Sequence, residues 1–261
     1  MLRSLFIDFN AYFASVEQQA DPRLRGRPVG VVQLMTDSTC CIAASYEARA
    51  FGVRTGTNVA EARRLCPGIV FVQSRPEVYV DYHQRALAAV ERVAPVRQVR
   101  SIDEMECELT GSWRQRAKAL EIARRIKQSI CGELGECLRT SIGIAPNTLL
   151  AKLASDMQKP DGLVVLEQRD LPAALLHLPL AAITGIGPGM QARLARCGIA
   201  TMAQFYAAPR DLLRTAWGGV AGSEMYDQMR GQWMAVRTAK QQSLGHSHVL
   251  PPAQRNPEGA Y

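Results

Sequence analysis

The sequence predicts an α+β protein built on one layered sheet, with an all-helical region following it. Three observations predict this. Short runs of strand formers alternate with longer amphipathic stretches from residue 2 to residue 166. Residues 96–109 read as a hairpin around two adjacent carboxylates, Asp103 and Glu104. After about residue 169 the strand signals stop, and short helical stretches split by Pro and Gly take over. The order β (2–9), helix (77–93), hairpin (96–109), helix (113–134), β (138–145), helix (147–157), β (163–166) predicts a sheet with helices on one face. Residues 11–75 are an insertion after the first strand.

Residues 2–9 are an apolar run with a carboxylate, Asp8, at its C-terminal end. An Asp there commonly caps the next helix. That helix is predicted over 10–19, where Tyr12, Phe13 and Val16 recur at helical spacing. Strands are predicted at 29–34, 40–45 and 69–73, and short helices at 46–51 and 58–66, stopped by Gly52 and Pro67-Gly68. In the hairpin, Met105, Cys107 and Leu109 alternate with Glu104, Glu106 and Glu108, the period-2 pattern of a half-buried strand. In 113–134 the stripe Ala119, Ile122, Ala123, Ile126, Ile130 opposes a solvated basic face. Asn147, after Pro146, is the cap candidate for the helix over 147–157.

At 261 residues the chain predicts two or three domains. The net charge of +7 suits an anionic partner. Seven scattered cysteines with no C-x-x-C, and four histidines, give no zinc pattern and fit free thiols in a reducing cytosol. Cys131, Cys137 and Cys197 read as small packed residues. Residues 1–6 are too short for a signal peptide and no run of eighteen apolar residues exists, so the expectation is a soluble, intracellular protein with no membrane partner.

Asp8, Asp103 and Glu104 come together only through folding. In one reading they are unrelated surface acids. In the other, the first strand lies beside the hairpin and the carboxylates converge, which requires cations. Oxygen-only ligation suits Mg²⁺, and two such ions about 4 Å apart serve phosphoryl transfer. Neighbours on a regular strand point to opposite faces. Asp103 and Glu104 can therefore share a site only if Asp103 lies in the turn or the strand is distorted.

The chain resembles the Y-family (translesion) DNA polymerases of the DinB and UmuC kind. The resemblance rests on Asp8-Phe9-Asn10-Ala11-Tyr12-Phe13-Ala14-Ser15-Val16-Glu17, on Ser101-Ile102-Asp103-Glu104, and on the stretch from Ala44 to Arg54. It rests also on Ser141 to Asn147, Leu150-Ala151-Lys152, Ser155 to Gly162, and Thr184-Gly185-Ile186-Gly187-Pro188-Gly189. It implies a ferredoxin-like palm sheet (1–10 and 76–168), inserted fingers (11–75), an all-α thumb with a helix-hairpin-helix (169–238), and the start of a truncated little-finger domain (239–261).

By resemblance, Asp8, Asp103, Glu104 and the Phe9 carbonyl hold two Mg²⁺ (or Mn²⁺). Tyr46, Arg49 and Lys159 contact the incoming triphosphate. Phe13 is the steric gate against a ribose hydroxyl, with Tyr12 beside it as the alternative ring, and Gly185, Ile186, Gly187 and Gly189 bind a DNA phosphate. The implied partners are primer–template DNA, a dNTP, and a sliding clamp through a region missing from this chain. The implied location is the bacterial cytoplasm, at the nucleoid. Asn10 replaces an Asp of many DinB members, and Ala43 stands where some relatives carry a hydroxyl. A non-catalytic DNA-binding adaptor is the alternative, disfavoured by the intact carboxylates. A nucleotide cyclase is disfavoured by the fingers insertion and the thumb motif.

Overall fold

The computed structural model describes residues 1–234; the expected little-finger start at 239–261 lies outside them. In chain order the elements are β1 (Ser4–Phe9), α1 (Tyr12–Ala20), β2 (Val29–Val32), β3 (Cys41–Ala44), α2 (Tyr46–Ala50), α3 (Val59–Leu65), β4 (Val70–Gln73) and α4 (Pro76–Glu91). They continue with β5 (Val96–Val99), β6 (Glu104–Glu108), α5 (Arg116–Leu134), β7 (Thr140–Ala145), α6 (Thr148–Met157) and β8 (Leu163–Val165). The helical region holds α7 (Pro188–Arg196), α8 (Met202–Ala207), α9 (Arg210–Trp217) and α10 (Val220–Met229). Two compact units result. One holds Met1–Asn10, His83–Gly135 and residues 139–234; the other holds Ala11–Tyr82 and Glu136–Leu138.

The first unit is organised on a sheet of order β5-β6-β1-β7-β8. β1 is antiparallel to both β6 and β7, while β7 and β8 are parallel. Because β6 lies between β1 and β5, the path β1–α4–β5 is a split β-α-β, the ferredoxin-like arrangement. Register fixes the two faces. Leu5 and Ile7 align with Cys107, Met105, Ile144 and Ile142, and all six are buried. The stripe of α5 (Ala119, Ile122, Ala123, Ile126, Ile130) is buried too. α5 packs on β7, and Ser129 Oγ on it donates to the Ala89 carbonyl of α4 at 2.8 Å. Each large aliphatic side chain removed from water here contributes roughly 1.5–3 kcal/mol.

The other face carries Ser4, Phe6 and Asp8, aligned with Glu108, Glu106 and Glu104. Here the structure departs from the expectation of helices on one face only, because α6 covers this side. Gly143 of β7 makes that possible: a Cβ there would lie 2.0 Å from the Ala151 carbonyl oxygen and 2.4 Å from the Ser155 nitrogen. Asn147 Oδ1 caps α6 by accepting from Leu150 N at 3.0 Å. Its Nδ2 donates to the Gln228 and Gln232 carbonyls, tying α6 to the helical region. Leu150 and Leu153 of α6, with Phe6, share one core with Leu194, Phe205 and Leu213 of that region.

Other expectations shift. Glu106, expected on a solvated strand face, is fully buried because α6 covers it: Ser4 Oγ and Thr148 Oγ1 donate to its Oε1 at 3.0 and 2.6 Å. The helix expected from Trp113 begins at Arg116, after a 3-10 turn at Gly111–Arg114 entered through Gly111 at φ +51°. α1 starts at Tyr12 because Ala11 is left-handed, at φ 48°. Ahead of Gly185 stand short 3-10 turns, Ala173–Leu175 and Leu180–Ala182, where the hairpin motif has its first helix. Cys131, expected to be packed, is exposed.

The second unit has a three-stranded sheet, order β3-β2-β4, with a core that includes Val32, Cys41, Ala48, Val53, Val59 and Ala62. Ser45 Oγ accepts from Ala48 N and starts α2; Asn58 Oδ1 accepts from Ala60 N and starts α3. No helix among the described residues is long and apolar enough to cross a membrane.

Gly143→Ala is expected to lower the unfolding free energy by about 3 kcal/mol, since backbone on α6 must move away from β7. An unchanged urea midpoint contradicts that packing. Burial, and secondarily the Glu106 charge, pushes the Cys107 thiol up to about 12. At neutral pH, thiol alkylation should modify Cys40 and Cys131 and spare Cys107 until the protein unfolds.

Candidate active site

Asp8 and Glu104 are direct partners across the β1–β6 pair, so their side chains share the face covered by α6. Asp103 is not in the strand. It lies in the bend 101–103 that precedes β6, where strand alternation does not bind it. Ser101 Oγ donates to Asp103 Oδ1 at 2.6 Å, and Phe9 N donates to the Asp103 carbonyl at 2.9 Å. The bend thus resolves the pleat problem: two sequence neighbours can address one place.

Two lysines complete the cluster. Lys152 Nζ on α6 contacts Asp8 Oδ2 at 2.5 Å, Glu104 Oε1 at 2.9 Å and Asp156 Oδ2 at 3.2 Å. Lys159 Nζ, from the turn after α6, reaches Asp8 Oδ1 at 2.7 Å and Asp156 Oδ1 at 2.8 Å. Burial alone would make the Lys152 ammonium easier to deprotonate. The charge of Asp8 and hydrogen bonds to Asp8 and Glu104 outweigh it, and hold the ammonium well above the ordinary lysine value. Asp8, Glu104 and Asp156 thus share two ammoniums.

That donor set consists of carboxylate oxygens, which suits a hard divalent cation. Among the described residues no group of three or more His, Cys, Asp or Glu forms a ready cage for a metal. Mg²⁺ does not need one, because it binds through one or two carboxylates and borrows waters and phosphate oxygens. An open cavity of about 240 Å³ lies against Glu104 and Lys152, lined also by Phe6, Arg100, Thr148 and Thr184. Buried Glu106, which accepts from Thr148 of that lining, lies 4.0 Å from Arg100 Nε and 3.9 Å from Arg97 Nη1.

Sequence reasoning gave no role to Lys152 or Asp156. The available signal was their spacing: four residues apart on one predicted helix, with Lys159 three further on. Asn10 also finds a place. Its Oδ1 accepts from Asp161 N at 2.7 Å and its Nδ2 donates to Ser141 Oγ at 2.9 Å. It therefore secures the turn that carries Lys159.

Tyr12, Phe13, Tyr46 and Arg49 belong to the second unit. Tyr12 is buried and its hydroxyl donates to the Tyr79 carbonyl at 2.8 Å. Phe13 is half-buried and stacks on the Tyr79 ring, centroids 4.4 Å apart. Tyr79 Oη donates to buried Glu17, which also pairs with Arg75 at 2.5 Å. On α2, the Arg49 guanidinium lies 4.9 Å from the Tyr46 ring centroid, and its Nε donates to the Ala44 carbonyl. In the helical region, Gly185 is at φ +94° and Gly187 caps α7 without a side-chain bond, ahead of Pro188. The Ile186 side chain is buried in the core, which leaves only its backbone for any outside contact.

The profile of the impB/mucB/samB family matches residues 7–156. A DNA polymerase IV of Moorella thermoacetica is 40% identical over 255 residues, covering 95% of this chain and 62% of that protein. One of Halorhodospira halophila is 39% identical over 227 residues, covering 87% of this chain and 63% of that protein. This chain therefore spans about three-fifths of the length of these curated relatives. Among solved structures, a Y-family DNA polymerase chimera of Dbh and Dpo4 superposes with a TM-score of 0.81 at 28% identity, over 92% of this chain and 71% of that one. An insertion ternary complex of Dbh DNA polymerase gives 0.80 at 28% identity, over 90% and 69%.

Removing one partner of a buried ion pair leaves a desolvated charge behind. Lys152→Met is expected to cost about 3 kcal/mol in metal-free buffer. Combined with Asp8→Asn in a double-mutant cycle, it should show a coupling of at least about 1 kcal/mol. Simple additivity of the two unfolding free energies contradicts the pairing.

Proposed function

The chain belongs to the impB/mucB/samB family, that of the Y-family polymerases, and from this premise we propose that the whole protein is a template-directed DNA polymerase of the translesion type. The observation that carries the proposal is the carboxylate pair Asp8–Glu104 across β1 and β6, with Asp103 freed by the bend beside it. The reaction is attack of a primer 3′-OH on the α-phosphate of a dNTP, with pyrophosphate leaving. Asp8, Asp103, Glu104 and the Phe9 carbonyl would hold two divalent ions, Mg²⁺ or Mn²⁺. Such ions supply charge neutralisation at the attacking and leaving oxygens.

The remaining roles fall to the chain's own groups. Lys152 and Lys159 neutralise Asp8 while no cation is bound, and Lys159 turns to the triphosphate when one arrives. Tyr46 and Arg49 donate to the same phosphates. Phe13, more exposed than Tyr12 and braced by Tyr79, is the ring proposed to exclude a ribose hydroxyl. Backbone N–H groups of Gly185, Ile186, Gly187 and Gly189 hold a DNA phosphate without reading sequence. We propose 1–10 and 76–168 as palm, 11–75 as fingers and 169–238 as thumb. The proposed partners are primer–template DNA, dNTPs and a sliding clamp, in the cytoplasm at the nucleoid.

Primer extension with Mg²⁺ tests the proposal. Asp103→Ala and Glu104→Ala should each slow extension by at least about 10²-fold. Equal rates in wild type and both variants overturn the site. Phe13→Ala should raise rNTP use relative to dNTP by roughly tenfold or more; unchanged sugar selectivity removes Phe13 from the gate. A complete block at every damaged template base, with normal synthesis elsewhere, contradicts the translesion reading.

A further inference from the structure

We infer that His83 is a positioning residue for the carboxylate bend, acting on Asp103 through the backbone of Ile102. The inference rests on the polymerase reading of Asp8, Asp103 and Glu104. His83 lies on α4 at 9% exposure, one turn before Ala86 and two before Val90 on the buried side of the helix. A polar ring in such a stripe needs a hydrogen-bond partner. Its partner is the Ile102 carbonyl, 2.8 Å from Nδ1. A carbonyl has no proton to give, so Nδ1 is the donor. Both the neutral Nδ1–H tautomer and the imidazolium satisfy the bond.

The position of this bond gives it consequence. Three successive carbonyls hold the bend, and each is anchored from a different direction. Ile102 O accepts from His83; Asp103 O accepts from Phe9 N at 2.9 Å; Glu104 O accepts from Arg100 N at 2.9 Å. The last two anchors are backbone groups that come with the sheet. The first is a side chain from a separate helix, and it acts on the peptide joined directly to Asp103. The β1–β6 register ends at Asp8 and Glu104, so Asp103 is held by single bonds, from Phe9 N to its carbonyl and from Ser101 Oγ to its carboxylate, and not by a paired position. With the Ile102 carbonyl released, the bend gains freedom and the Asp103 carboxylate loses its fixed place, while the Ser129 bond to the Ala89 carbonyl of α4 persists. Misplacement by about 1 Å costs on the order of 10² in rate at a site that works by positioning.

Two variants separate hydrogen bond from bulk: His83→Leu fills the space without a donor, and His83→Asn offers Nδ2 near the place of Nδ1. Hydrogen–deuterium exchange on the metal-free protein reads the bend directly. His83→Leu should speed exchange of the amides of residues 100–104 by roughly tenfold, with the amides of β7 unchanged. In primer extension it should raise the Mg²⁺ concentration for half-maximal rate by about fivefold or more, and His83→Asn should restore both quantities to within about threefold. A nitrogen-15 spectrum of the wild-type imidazole should show a protonated Nδ1 in the neutral ring; this needs no variant to fold. Wild-type exchange in His83→Leu, equal impairment by Leu and Asn, or a neutral ring protonated at Nε2 each overturns the inference. If wild type itself extends no primer, the polymerase reading falls, while exchange and the imidazole spectrum still decide the role of His83.

Discussion

The architecture of the first unit follows from an electrostatic constraint: Asp8 and Glu104 are opposed across hydrogen-bonded strands, on a face that a helix covers. Two carboxylates so placed repel each other, and cations beside them relieve that repulsion. α6 provides these through Lys152 and, just past its end, Lys159. For α6 to reach that face, β7 must present no side chain at Gly143, and the helix must begin promptly after Pro146, which the Asn147 cap ensures. Packing, capping and charge neutralisation therefore serve one placement, that of an ammonium against Asp8.

The same placement links the sheet to the helical region. Asn147 starts α6 with one side-chain atom and binds the carbonyls of Gln228 and Gln232 with the other. Glu106 is buried under Thr148 at the first turn of α6 and lies near Arg97 and Arg100. Arg100 lines the cavity beside Glu104. Residues that hold the scaffold thus also shape the space in which a polymer end would meet the carboxylates.

Much of this was legible in the chain. The alternation 104–109 marks β6, and the pleat argument requires either Asp103 in the turn or a distorted strand; Asp103 lies in the bend before β6. Asn147 and Asn58 fall at predicted helix starts, and their side chains accept from backbone N–H groups there, whereas Ser45, assigned to a strand end, turns out to cap α2. What could not be read depends on which helix covers which face. The burial of Glu106 and the contact of Lys152 with Asp8 follow from α6 lying opposite α5, a choice that turns on the missing Cβ of Gly143. His83 carries no signal in the sequence, because its partner is a backbone carbonyl nineteen residues away. The exposure of Cys131 depends on the rotation of α5 about its axis, which the buried stripe sets within one residue.

The central claim is that Asp8, with Asp103 and Glu104, is a cation site which lysines occupy in the absence of metal. Its most direct test is a crystal grown with primer–template DNA, a non-hydrolysable dNTP and Mn²⁺, with the ion located by anomalous scattering. The account predicts manganese bound among the Asp8, Asp103 and Glu104 carboxylates, with Lys159 moved from Asp8 to the triphosphate. Manganese bound elsewhere, with Lys152 and Lys159 both still on Asp8, would contradict it.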